Sequence, residues 1–552
     1  LDMADFRVSI TGEAPSELPH ITTVTNPSAK TVALGTAEAA IGLPNELEVT
    51  LSDNNRMRLG VTWTSSPAYN GDLAGTYTFT GTLAAAAGIT NTNDVKATVT
   101  VRINAEGADD EFDAIRKKWQ YLAVGGDYDP TNPDMQGLLH SINDVAADLL
   151  ERINPAPTAD WGTNDYLWKE YPLGKHSSPY DDSNNTQFTI RNLKFMALAY
   201  KTNGCALYQN ERLKTEILRG LDYIYTSHFK PGIDTESYGN WFTWEIGGPI
   251  YLLETTLLMF DELPLGQSAA FAASALKGAA KTGGAAYMYV GANALWRDRV
   301  RMYAGILLKD GGPLDYVKND ALKYMDYVTS GDGYYTDGTF MQHGNITYNG
   351  GYGKEAFSDI SHFLYMLDGT TWEIKGAARD DMSTKIEKSY VPFMYKGVFM
   401  DMVRGREITR TDTTDAYAGI TISLDVLLFS ETLPKAEGDH FKGMVKEWMN
   451  NENAISTLNE GAGVAWYLFP VYNLSKTLEI LGDDTITPVS NAGRSYTFGK
   501  GARTVHTTDT FTFGLSMYAK DIASYETGDS NNKGWYTGLG QTYVYTPDVG
   551  QF

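Results

Sequence analysis

Apolar side chains return at i, i+3, i+4 and i+7 through about 350 residues in the middle of this chain, and that run limits the fold more than any other feature. It opens in AEGADDEFDAIRKKWQYL (105–122). It continues through IRNLKFMALAYKT (190–202), RLKTEILRGLDYIYTSHF (212–229), PIYLLETTLLMFDEL (249–263), NDALKYMDYVTS (319–330) and SDISHFLYML (358–367). Repeated amphipathic helices joined by Gly-, Asn- and Asp-rich loops predict helical hairpins packed into an array or ring, whose loops build a cleft on one face.

The two ends read differently. ELEVTLSDN (46–54), GVTWTSSPAY (60–69), GTYTFTGTL (75–83) and VKATVTVRI (95–103) alternate in strand fashion between short turns, which predicts an immunoglobulin-like β-sandwich. It holds no cluster of titratable groups and reads as an accessory domain. From about Ala465 the texture is again β, in RSYTFGKG, DTFTFGLSMYA and QTYVYTP. Three domains are expected: the sandwich over 1–107, the helical ring over 108–462, and over 463–552 the beginning of an antiparallel β-sheet domain. A few strands rarely make a whole domain, so a second chain or a missing C-terminal segment is expected to complete it, the protein being otherwise monomeric.

The charge of −23, from 45 Lys+Arg against 68 Asp+Glu, argues against nucleic acid and anionic membranes as partners. An anionic ligand remains compatible with it where arginines gather locally. Cys205, the single cysteine, reads as a small buried apolar residue, and no apolar run is long enough to span a membrane. A chain opening on Leu1 fits a secreted protein whose leader has been removed.

Within the helical part, GYYTDGTFMQHGNITYNGGYG (333–353) has six glycines, four tyrosines and one histidine, with no helical or strand period. His343 and Tyr352 stand nine apart on this frame, and both side chains can carry protons. NWFTWEIGGP (240–249) sets Trp241, Phe242 and Trp244 beside Asn240, as core or as a platform for a sugar ring, with the platform slightly favoured. Asn293 in VGANALWRDRVRM (290–302) fits a helix cap or an amide facing the cleft, and the residues alone favour the cap. VRGREITR (403–410) holds Arg404, Arg406 and Arg410, either a solvated basic face or guanidinium groups for carboxylates. ASYETGDSNNKGWYTG (523–538) places Glu526 and Asp529 in a turn-rich loop, where acidic residues are usually solvated. GGYGKE is not a phosphate loop, the eight histidines show no metal-ligand spacing, no GxSxG elbow occurs, and His362 reads as structural.

Taken in order, NWxxWEIGxP, GAN, DGTFMQH…Y..GYG, RGRxIxR and SYE…KGWYTG resemble polysaccharide lyase family eight, the hyaluronate, chondroitin AC and xanthan lyases, over roughly residues 110–552. The resemblance implies an (α/α) toroid followed by antiparallel β domains, with the cleft at their junction. It implies a catalytic set of Asn293, His343, Tyr352 and Arg406 supported by Glu526. Arg410 becomes a substrate-orienting group, Trp241 and Phe242 an aromatic patch, and Asn240 and Asp529 further substrate contacts. Phe242 stands where hyaluronate lyases typically carry a second tryptophan, and Asp529 where an asparagine often follows the glutamate.

The implied reaction is β-elimination at a 4-linked glucuronate. Asn293 would stabilise charge building on the carboxylate. Tyr352, its pKa lowered by Arg406, would take the C5 proton and return it to O4, or His343 would be the base and Tyr352 the acid. No cofactor is implied, although a structural calcium ion is compatible with the sequence. Among substrates the expectation leans to the mannosyl-glucuronate side chain of xanthan. Asp412, where some xanthan lyases carry a tyrosine that contacts pyruvate, implies weaker dependence on pyruvylation. Two other classes compete: a toroid glycoside hydrolase using Glu245 and Asp337, and a non-catalytic sugar-binding protein.

Overall fold

The computed structural model describes residues 18–548, apart from 28–29, 33, 74, 104–109, 160–162, 175–177, 231–237, 265, 281–288, 412, 460–467 and 529. It divides into two compact units, residues 1–110 with 309–312, and residues 111–308 with 313–552.

Among the described residues the first unit holds six strands: β1 (Ile21–Val24), β2 (Lys30–Val32), β3 (Glu46–Leu51), β4 (Arg56–Ser66), β5 (Gly75–Leu83) and β6 (Ala97–Ile103). They hydrogen-bond in the order β1-β3-β4-β5-β6-β2. Alternation does the work the sequence promised. Val49 and Leu51 of β3 pack with Ile21 and Leu59 in one small core, and Val99, Val101 and Ile103 of β6 pack with Tyr77 and Phe79 of β5 in another. This is the expected immunoglobulin-like domain.

The second unit is built on helices: α1 (Glu111–Val124), α2 (Pro133–Arg152), α3 (Pro179–Lys201), α4 (Glu211–Ser227), α5 (Gly248–Leu258), α6 (Gln267–Ala279), α7 (Ala292–Leu308), α8 (Gly311–Met325) and α9 (Tyr352–Leu367). After two short helices, α10 (Ala377–Asp380) and α11 (Met382–Ser389), come α12 (Asp415–Ser430), α13 (Lys435–Met449), α14 (Glu452–Asn459) and α15 (Pro470–Gly482). Their starts are chemically marked. Asn132 and Asn210 each accept a hydrogen bond from a backbone N–H of the following first turn, and Pro133 and Pro179 sit where a missing N–H costs nothing.

Two kinds of helix follow from composition. α4 is amphipathic, burying Leu213, Ile217, Leu221 and Ile224 while its other face stays wet. α5 and α12 are buried nearly all round and so belong to an inner layer. α3 packs on α5, α5 on α7, α7 on α9 and α9 on α12, while α2 and α4, α6, and α13 lie against that inner series. The result is the (α/α) toroid. Antiparallel strands β12 (Arg494–Phe498), β13 (Arg503–Thr507), β14 (Thr512–Ser516) and β15 (Gln541–Tyr545) follow, paired in sequence order.

Two expectations need correction. α15 stands where β texture was expected from Ala465, because PVYNLSKTLEILG, rich in β-branched and aromatic residues at its start, buries Val471, Leu474, Thr477 and Ile480 at helical spacing. The stretch 333–353 is also no periodless loop. It folds into a three-stranded antiparallel sheet of β7 (Gly333–Tyr334), β8 (Phe340–Gln342) and β9 (Ile346–Thr347), with two further short strands, β10 (Met394–Tyr395) and β11 (Val398–Phe399), pairing nearby in the chain. The strands are too short for alternation to be visible.

His362 lies fully buried on α9 among Tyr303, Phe363 and Phe469, and neither ring nitrogen has a hydrogen-bond partner among the described residues. Burial, reinforced by the Arg299 charge, holds its pKa well below the usual imidazole value. Below about pH 6.5 the unfolded chain therefore binds a proton that the folded chain refuses, and stability falls by up to about 1.4 kcal/mol per pH unit. His362→Phe is expected to flatten the decline in melting temperature between pH 6.5 and 5. An unchanged slope would show that other groups set it.

Candidate active site

A cavity of about 760 Å³ opens inside the second unit, lined by first-turn residues of α7 and α9, by the 3₁₀ turn Gly405–Thr409 and by the segment around Trp241. The small β7–β9 sheet aims its reactive groups. Between β8 and β9 the chain reverses through His343 and Gly344, both at positive φ (53° and 78°), and the Gly344 N–H is fixed by Asp332 Oδ1 at 2.7 Å. The reversal leaves the His343 ring at the cavity wall. Asn349 then locks the sheet, accepting from Phe340 N at 3.1 Å and donating to Gly338 O and Ser389 O, both at 2.8 Å. Gly350 and Gly351 follow because a Cβ at either would strike an aromatic ring, of Phe399 or Tyr348 respectively. Tyr352 is the first residue of α9.

Four side chains from distant parts of the sequence converge here. His343 Nδ1 lies 2.5 Å from Glu526 Oε1, and Arg406 Nη1 donates to the same oxygen at 3.0 Å. Arg406 Nη2 donates to the Tyr352 hydroxyl at 3.4 Å, and the His343 and Tyr352 rings meet edge-on with centroids 4.9 Å apart. Since an ionised carboxylate only accepts, Nδ1 carries the hydrogen, and in the neutral ring Nε2 is then the free base. Glu526 is positioned in turn by Asn531, whose Nδ2 donates to Glu526 O at 2.7 Å and whose N–H reaches Thr409 Oγ1 at 3.2 Å.

Burial opposes ionisation of Glu526, but hydrogen bonds from His343 and Tyr348 and the Arg406 charge prevail and leave its pKa below the ordinary carboxylate value. Tyr352 corrects an expectation. Its phenol is raised, not lowered, because burial outweighs the Arg406 charge and Glu526 and Glu407 add to the rise. The resting phenol is protonated.

Tyr348, which the sequence did not single out, joins the cluster. It is fully buried, its hydroxyl bonds Glu526 and accepts from Arg406 N at 3.3 Å, and its ring lies edge-on to both His343 and Tyr352. The other tyrosines of the stretch do not reach the site. Tyr334 is in the core with its hydroxyl on Tyr390, and Tyr335 bonds Gly331 O.

Asn293 sits one residue inside α7 rather than ahead of it, is buried, and lines the cavity. Asn240, Trp241, Phe242 and Arg410 also line it. Trp244 does not, being stacked on Phe229 in the core with its indole N–H on Tyr238 O. Trp296 was missed. It continues a rim of rings from Trp241 and Phe242 to Tyr352, with centroids 5.5 Å from Phe242 and 6.5 Å from Tyr352. Its place three residues after Asn293 on one helix face was the available signal. Asp529 and Asp412 lie outside the described residues. The carboxylates suited to a hydrolase are engaged elsewhere: Glu245 pairs with Arg297, and Asp337 accepts from Thr339 N and Lys500 N.

A toroid followed by an antiparallel sheet, with a rim of aromatic rings leading to a His–Glu–Arg–Tyr cluster in its cavity, defines a class of multidomain helical proteins. The chain belongs to polysaccharide lyase family 8. Residues 119–447 match that family's N-terminal alpha-helical domain, residues 494–552 its super-sandwich domain, and residues 7–86 the bacterial Ig-like domain (group 4). A xanthan lyase of Bacillus sp. (strain GL1) is 30% identical over 449 residues, covering 81% of this chain and 46% of that protein. A hyaluronate lyase of Thermasporomyces composti is 30% identical over 451 residues, covering 82% and 55%. Among solved structures, a Paenibacillus xanthan lyase superposes with a TM-score of 0.72 at 33% identity, over 80% of this chain and 40% of that one. The chain thus spans about half the length of the curated relatives it matches.

Proposed function

We propose that this site cleaves the bond to O4 of a glucuronate in an acidic polysaccharide by β-elimination, leaving an unsaturated uronate end. The observation that carries the reading is the convergence of His343, Tyr352, Arg406 and Glu526 on a cavity that Asn293 also lines. Asn293 and Arg406 hold the uronate carboxylate and stabilise the charge that builds on it as the C5 proton leaves. The Nδ1–H tautomer of His343 and the protonated phenol favour one division of labour. His343 Nε2 takes the C5 proton, the C5–H electrons form the C4=C5 double bond as the C4–O4 bond breaks, and the Tyr352 hydroxyl protonates O4. Water returns the proton from His343 to Tyr352.

Trp241, Phe242 and Trp296 offer faces for sugar rings, and Arg410 orients the chain. For substrate we take the mannosyl-glucuronate of xanthan first, supported by the likeness to xanthan lyases. Hyaluronan is second, on the equal identity to a hyaluronate lyase. We place the protein outside the cell, where such polymers lie. Among the described residues no helix is long and apolar enough to cross a membrane.

The test is an ultraviolet scan of the products from xanthan, hyaluronan and chondroitin. Absorbing unsaturated ends are expected from at least one; products without the chromophore, or binding without turnover, would refute the lyase reading. Tyr348→Phe keeps the ring and removes only its hydroxyl. Losing a hydrogen bond to a charged group is worth about 1.5–3 kcal/mol, so kcat should fall roughly 10- to 100-fold with KM little changed. A change in KM alone would place Tyr348 in substrate packing instead.

A further inference from the structure

The cavity continues past the acid–base groups along the helix axes. Glu355 and Ser358 follow Tyr352 down α9, Arg299 follows Asn293 down α7, and Thr421 follows Tyr417 down α12, all of them lining the same space. Six residues of helix advance about 9 Å, so the inner wall lies beside whatever sugar adjoins a uronate held at the mouth.

The charges of this wall are balanced. Among the described residues five cations line the cavity, and a carboxylate stands against each. At the mouth Arg406 has Glu526 at 3.0 Å and Arg410 has Glu407 at 3.7 Å. Deeper, Lys194 has Glu254 at 2.7 Å, Arg299 has Asp359 at 2.6 Å, and Lys354 is in contact with Glu355. Asp425 adds a further carboxyl, whose pKa burial raises well above the usual carboxylate value. At the mouth Asn293, an uncharged donor, can take a carboxylate together with Arg406. An anion entering past it would meet Glu407 at the mouth and Glu355 on the wall, in surroundings that screen charge poorly. The polar and aromatic groups there, Thr421, Ser358, Tyr251 and Tyr417, suit hydroxyls and ring faces.

We propose that this wall selects an uncharged sugar next to the bound uronate, and that Glu355 and Glu407 are specificity-determining residues that exclude a neighbour bearing sulfate or a second carboxylate. The inference rests on the lyase reading and adds to it the charge class of the adjoining sugar.

The experiment compares unsulfated chondroitin with chondroitin sulfate at low ionic strength, reading kcat/KM from the unsaturated product. The protein as it stands should favour the unsulfated polymer at least about tenfold, and Glu407→Gln and Glu355→Gln should each narrow that ratio about threefold or more. Because the ratio compares two substrates on one protein, a partly misfolded variant lowers both rates and leaves it in place. Equal or faster cleavage of the sulfated polymer, or a ratio that neither substitution moves, overturns the proposal. If neither polymer is turned over, calorimetric binding of the same pair at the same salt replaces the rates. Tighter binding of the unsulfated polymer then upholds the selectivity, and equal or weaker binding overturns it. The lyase reading is judged separately on the polymer panel.

Discussion

Tyr352→Phe is expected to lower kcat by about 10³-fold or more while leaving the fold and polymer binding intact, because a positioned proton donor typically contributes 10²–10⁴-fold. The substitution removes one oxygen. The ring remains packed against His343, Tyr348 and Trp296, and Arg406 is still held by Glu526. What disappears is the donor to the leaving oxygen. The variant also separates the two proton carriers. With His343 as the base, a polymer incubated with Tyr352→Phe in heavy water should exchange its C5 hydrogen without being cleaved. Absence of exchange, with binding retained, would return the base role to Tyr352. Near-normal turnover would remove Tyr352 from the chemistry altogether.

Glu526→Gln should cost about 10²- to 10³-fold in kcat, chiefly through geometry. One carboxylate oxygen fixes both the His343 tautomer and the Arg406 guanidinium. A neutral amide can present its N–H₂ toward His343 Nδ1, turning the ring into the tautomer whose Nε2 carries hydrogen and cannot act as a base. It also removes the negative charge that faces the Arg406 guanidinium, which can then pair more strongly with the substrate carboxylate. The kinetic signature is therefore a fall in kcat with KM unchanged or lower. A rise in KM at constant kcat would mean that Glu526 serves binding instead. Proton NMR of the His343 ring offers a second reading, since the Nδ1 hydrogen should move or vanish in the variant.

The helices were legible because their apolar faces recur over many turns, as in α4, where Leu213, Ile217, Leu221 and Ile224 set the face. The first sandwich was legible for the equivalent reason at period two. The β7–β9 sheet was not, because strands of two or three residues are shorter than the pattern that reveals them. Its glycines did signal an unusual backbone, but their purpose, room for the Tyr348 and Phe399 rings, depends on contacts remote in sequence. Motif order brought Asn293, His343, Tyr352, Arg406 and Glu526 into view; their distances and the Nδ1 partner of His343 needed the fold. The Tyr352 phenol illustrates the gap. A neighbouring arginine is readable in RGREITR, whereas the burial that outweighs it is a property of the assembled cavity.

The bond between His343 and Glu526 joins residues 183 positions apart. On a ribosome the imidazole, the phenol and the guanidinium are all made before that carboxylate emerges, and a helical ring closing early would hold them without the group that sets their protonation. The cluster is therefore completed only after the helical ring has been made. Until the loop bearing Glu526 docks through Asn531 on Thr409, His343 and Arg406 lack the carboxylate that joins them, so the cluster waits on a segment made after the helices that carry its other members.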